Sequence, residues 1–208
     1  MRYVETIQTR FRFFATLLIL AAVAVTGSAC GSDHAAMGDH DMATTHSADQ
    51  MGTGPKADVM FVQEMIPHHQ QAVEMANLAL DPARQASPAV MDLATRIKTA
   101  QAAEIIDMNA WLVEWGADLI DGQMDHGNMD HDAMGMMSSD DMKALANAKG
   151  AAFDRLWLEG MIMHHEGALT MASHIATRGD DARVQQLSDA IEQSQTAEIT
   201  EMRALLNQ

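Results

Sequence analysis

A single cysteine, Cys30, occurs in the 208 residues, so no disulfide can form within the chain and the fold must hold by packing. No Cys-x-x-Cys pair, phosphate-binding glycine loop or Ser/His/Asp order is present, which leaves those catalytic chemistries without a basis. Basic residues are scarce, 13 Lys and Arg against 29 Asp and Glu, for a formal charge of −16. So acidic a chain is a poor partner for nucleic acid, whose phosphates repel it, and it suits the collection of cations. No segment alternates with period two over any length, so strands are not expected and the fold class is all-α.

The beginning of the chain reads as an address. Arg2, Arg10 and Arg12 lead an apolar stretch from Phe13 to Val25 that is too short to span a bilayer comfortably. Small residues then precede Cys30, as in a bacterial lipoprotein signal in which that cysteine is lipidated and becomes the mature N-terminus. Gly27 departs from the usual pattern, and ordinary secretion with a free thiol is the alternative. Residues 1–29 are thus expected to be a lipoprotein-type signal peptide and the mature protein a membrane-anchored, extracytoplasmic one. Their removal deletes three Arg and Glu5, taking the formal charge from −16 to −18. Residues 30–56 read as a disordered His- and Met-rich tether with little to bury.

What the chain does contain, it says twice. Met65-Ile66-Pro67-His68-His69, followed by Ala72 and Met75-Ala76, returns 96 residues later as Met161-Ile162-Met163-His164-His165 with Ala168 and Met171-Ala172. A second echo sets Ile97, Gln101, Glu104, Ile105 and Met108 against Ile191, Gln195, Glu198, Ile199 and Met202. Helical spacing predicts a first helix over 58–80, bent beside Pro67, and a second from Ser87-Pro88 to about Gly116. A short turn from Ser138 or Ser139 should precede a third long helix over 151–177, capped by Gly179, and a last one opened by Asp180 or Asp181. The inward sectors are predicted to carry Met65, His68 and His69; Glu104, Trp111 and Trp115; Met161, His164 and His165; and Glu198. The expected architecture is a four-helix bundle over 57–206, built from two repeated hairpins (57–116 and 151–206) joined by a linker over 117–138.

The doubled Met-Ile-x-His-His motif, the Phe153-Asp154-x-x-Trp157 lead-in and the Met134-Gly135-Met136-Met137 run resemble the family known as domain of unknown function 305. The resemblance spans essentially the whole mature domain and implies a ferritin-like helical bundle in an exported bacterial protein. It also implies copper binding, as in the family's CopM-type periplasmic members. Met163 departs from the motif, which has proline there.

The linker carries Met124, His126, Met129, His131, Met134, Met136 and Met137 among glycines and aspartates. A polar loop has no core for so many methionines to fill, so their usual role as adaptable packing weakens. Thioethers are soft donors suited to Cu(I), and imidazole also accepts Cu(II). Copper is therefore the expected ion; zinc, nickel or iron on a His/Asp-dominated site is the competitor.

The inward histidines and glutamates allow two accounts, satisfied polar contacts in a core or ligands of a buried ion. Neighbouring histidines point about 100° apart on a helix, so one ion would not take both of a pair. A ferritin-like di-metal oxidase would need four carboxylates and two Glu-x-x-His motifs, which are absent, so no enzymatic activity is expected. A metal-free structural or partner-binding bundle remains a third reading. Metal ions and the membrane are the expected partners, with a homo-oligomer or a copper-exchange partner as further candidates.

Overall fold

A computed structural model describes residues 55–119 and 134–208. Cys30, the signal, the tether, and the linker residues Met124, His126, Met129 and His131 lie outside the described residues. Five α-helices are present and, among the described residues, no strand: α1 (Pro55–Leu80), α2 (Pro88–Trp115), α3 (Ser139–Asn147), α4 (Ala151–Ile175) and α5 (Ala182–Leu206). α1 pairs with α2 and α4 with α5, and α1 against α4 joins the two hairpins. The protein is an all-α, ferritin-like four-helix bundle with one short additional helix, α3.

The helix ends follow local chemistry. The Ser87 hydroxyl accepts from Val90 N–H with Pro88 in the first turn of α2, and Gly116 closes that helix at φ 64°. Ser138 caps α3 by accepting from Asp141 N–H, and Asp181 caps α5 through Arg183 N–H. Gly179 does not serve as the expected left-handed cap, since its φ is not positive. Its lack of a side chain has another cause: a Cβ there would overlap the Asp58 carboxylate. That carboxylate is buried and accepts from the Asp180 and Asp181 N–H groups at 3.0 Å each, at the start of α5. Asp154, 96 residues further on, likewise accepts from Ser87 N–H at 3.1 Å, at the start of α2. Each hairpin's first helix thus ties down the second helix of the other.

The apolar core falls into two clusters. One gathers Met75, Leu93, Ile97, Phe153, Trp157 and Met161, with Trp157 Nε1 donating to the Met75 carbonyl at 3.0 Å. The other gathers Phe61, Met65, Met108, Met171, Val184 and Ile191. The sequence between the two sets on every long helix is polar: His68 and His69 on α1, Gln101 and Glu104 on α2, His164 and His165 on α4, Gln195 and Glu198 on α5. Trp111 and Trp115 pack against the second cluster, as their inward placement predicts, but are only partly buried. They lie 6.3 Å apart with the Arg183 guanidinium 5.6 and 5.7 Å from their rings, so their faces serve a cation–π contact at the bundle's end.

Candidate metal centre

The four histidines are fully buried. Helical repeat explains this: each pair follows a buried methionine, Met65 or Met161, by about one turn on the face turned to the opposite hairpin. His68 and His164 meet across the bundle with ring centroids 3.7 Å apart and planes tilted by 33°. Within each pair the rings are 6.3 Å apart for His68 and His69, and 6.2 Å for His164 and His165.

Every one of these rings uses Nε2 on an oxygen. His69 Nε2 lies 2.8 Å from Glu104 Oε2, and His165 Nε2 lies 2.8 Å from Glu198 Oε2. His164 Nε2 donates to the His68 carbonyl at 2.9 Å, and His68 Nε2 donates to the Met134 carbonyl at 3.0 Å. A carbonyl or carboxylate oxygen only accepts, so each ring carries a proton on Nε2. All four Nδ1 atoms are buried without a partner. Burial, reinforced by the neighbouring His69, pushes the His68 pKa down to about 3. Burial first, and then His68 and His165, hold His164 well below the ordinary histidine value. Both rings are therefore neutral at neutral pH, the state in which imidazole binds metal.

The carboxylates sit at the margins of this layer, with side-chain exposures of 22% for Glu104 and 14% for Glu198. Each holds an imidazole N–H, the arrangement that orients a histidine whose other nitrogen is to be used. Among the described residues no three His, Cys, Asp or Glu side chains form a group able to hold an ion. Met65 and Met161, one turn before the histidine pairs in sequence, are fully buried.

Of the linker methionines, Met134 is half-buried while Met136 and Met137 are each 8% exposed. They form a strap across α4. Gly135 has φ 69°, and a Cβ on it would overlap the Met163 carbonyl; a Cβ on Gly167 would overlap the Met134 carbonyl. Gly160, two turns earlier on α4, leaves room for the Met137 thioether. On the other side Gln71 clamps Met137, donating to its carbonyl at 2.9 Å and accepting from its N–H at 2.8 Å. Met163 points outward and is 52% exposed.

Three residues were not foreseen as members of this layer. Gln101 and Gln195 are buried with their Oε1 atoms unpartnered, one turn before Glu104 and Glu198. Their Gln-x-x-Glu spacing in both echoes was the available signal. Gln71 offered none, because its partner is backbone far along the chain.

Comparison with known proteins places this geometry among relatives. The profile of the family described as "Domain of unknown function (DUF305)" matches residues 58–206. Solved structures similar to the chain include CopM in its Cu(II)-bound form, 32% identical, covering 76% of this chain and 98% of that one with a TM-score of 0.63. CopM is also known in Cu(I)-bound, Ag-bound and apo forms. A candidate secreted DUF305 protein of Streptomyces coelicolor is 31% identical, covering 72% and 91% of the two chains with a TM-score of 0.64. An uncharacterized protein of Acanthamoeba polyphaga mimivirus is 44% identical over 55 residues, 26% of this chain. The match spans about a third (36%) of that curated relative's length.

Proposed function

The chain belongs to the DUF305 family, and from that premise we propose that it is an exported copper-binding protein that sequesters or buffers copper outside the cytoplasm. The observation that carries the reading is the set of four buried imidazoles whose Nε2 atoms are engaged and whose Nδ1 atoms have no partner. An unpartnered buried polar atom costs about 1–3 kcal/mol, so four of them in one layer call for a ligand. The donor chemistry narrows the choice. Neutral imidazole with thioether favours Cu(I) and tolerates Cu(II), whereas zinc, nickel or iron would draw on carboxylates that are here committed to histidines. CopM, a relative across nearly its whole length, is known with copper bound in both oxidation states and with silver.

The proposed roles rest on placement for the described residues and on donor chemistry for the others. His68, His69, His164 and His165 supply nitrogen; Met65 and Met161 supply buried thioether. Glu104 and Glu198 orient the histidines. Met124, His126, Met129, His131, Met134, Met136 and Met137 form a second donor set on the linker. Cys30 carries the lipid that holds the chain on the outer face of the cytoplasmic membrane or on the cell surface. The function is binding without catalysis, with copper-exchange proteins or a second copy as partners.

A metal-free structural bundle is the second reading, favoured by the lack of a three-ligand His, Cys, Asp or Glu group among the described residues. Competition titration with a Cu(I) chelator separates the two. The copper reading expects stoichiometric Cu(I) uptake by the full chain and a lower capacity, at unchanged helicity, when Met124, Met129, Met134, Met136 and Met137 are changed to Leu. No uptake by the wild type leaves the structural reading.

A further inference from the structure

Two of the donors assigned above, the Met136 and Met137 thioethers, are withdrawn from solvent in one short segment. Met136 and Met137 are each 8% exposed, and the Met134 carbonyl occupies His68 Nε2. The segment is held on both sides. Gln71 makes two hydrogen bonds to the Met137 backbone, a strand-like clamp from α1. On α4, the glycines at 160 and 167 open a trough, and Gly135 meets α4 backbone where any side chain would collide. Such mutual fitting of glycines defines a seat for residues 134–137. The seat also reaches the core, since Met137 belongs to one apolar cluster and Met134 packs against the other, although most members of both clusters lie on the long helices.

We propose that residues 134–137 are a latch: seated, they bury the Met136 and Met137 thioethers and hold the His68 N–H; released, they present the two thioethers to a soft monovalent ion. The inference rests on the copper reading and adds its regulation. A binding-competent state that is only fractionally populated weakens apparent affinity by that fraction. Loosening the seat should therefore tighten binding. The two contacts also make release cooperative, because lifting Met134 off His68 draws Met137 from Gln71 only three residues away.

Two variants loosen the seat by different means, and neither removes a proposed donor. Gly167→Ala drives a Cβ into the Met134 carbonyl, and Gln71→Ala removes the clamp. Gly160→Ala is the milder control, because the atom it meets first is the Met137 sulfur at 2.8 Å, on a flexible side chain. In the metal-free full chain, peroxide oxidation of Met136 and Met137, followed by peptide mass spectrometry, should quicken several-fold in both loosened variants. Met65 and Met161 should stay protected, which shows that the bundle remains folded. In Cu(I) competition titrations the same variants should bind roughly tenfold or more tightly than wild type. Variants that expose Met136 and Met137 yet bind Cu(I) with unchanged or weaker affinity overturn the latch. Absence of Cu(I) binding in wild type and variants alike, with the oxidation difference intact, overturns the copper reading instead.

Discussion

His68 and His164 stand 96 residues apart in the chain, stack at 3.7 Å, and spend their Nε2 protons differently. His164 gives its proton to the His68 carbonyl on the neighbouring helix; His68 gives its proton to Met134, in the segment that ends the linker. Their companions match: His69 with Glu104 and His165 with Glu198 lie at the same 2.8 Å. The contrast teaches that the two halves of the bundle offer equivalent donors, but only one half hydrogen-bonds a histidine to the segment that ends the linker. Chemistry in the linker can reach the histidine layer through His68 and not symmetrically.

The largest expected effect is on acid stability, and it probes the pair together. The folded-state pKa of His68 is depressed to about 3 and that of His164 is depressed too, so below about pH 6.5 the unfolded chain binds protons that the native bundle refuses. More protons on the unfolded side mean that stability rises with pH. The metal-free bundle should therefore weaken as pH falls from about 6.5 towards 3, by up to about 1.4 kcal/mol per pH unit for each of the two rings. Urea unfolding at stepped pH reads this directly. His68→Gln or His164→Gln should each remove about half the added slope, and a pH-independent midpoint would contradict the assignment.

Next in size is the asymmetry between the carboxylate pairs. His165→Ala strands Glu198, whose side chain is the more enclosed of the two, and leaves a cavity; a loss of roughly 2–3 kcal/mol is expected. His69→Ala strands the more exposed Glu104 and should cost about 1 kcal/mol less. Equal losses in denaturant titrations would mean that burial of the carboxylate does not set the cost.

Much of this arrangement is legible in the amino-acid sequence because it is written in helical periodicity. The spacing of Met65, His68 and His69, and of Met161, His164 and His165, places both sets on inward faces, and Ser87-Pro88, Gly116 and Asp181 mark helix ends by local chemistry. Glu104 and Glu198 also meet the layer, at its margin. What was not legible depends on contacts between distant segments. Gly179 looked like a helix cap, yet it is glycine because Asp58, 121 residues earlier, packs against it. Trp111 and Trp115 follow the apolar stripe onto the core, but their partial exposure under the Arg183 guanidinium depends on a residue far along the chain. The strap could not be foreseen either, since nothing local ties Gly160 and Gly167 to the linker.

The smallest effect concerns the glutamines that flank the comparison on both sides. Gln101→Met and Gln195→Met each replace a buried amide whose Oε1 lacks a partner, so apo stability should stay within about 1 kcal/mol of wild type. If the glutamines instead hold the histidine layer together, calorimetry of the two variants would show a larger loss.

X-ray absorption of the full chain loaded with Cu(I) and then desalted reaches the central claim most directly, because it reports the atoms around the ion. The account predicts retained copper with both sulfur and imidazole-nitrogen scatterers, and loss of nitrogen scattering when His68 and His164 are replaced. Copper lost on desalting, or a shell of oxygen atoms without sulfur or imidazole, would contradict it.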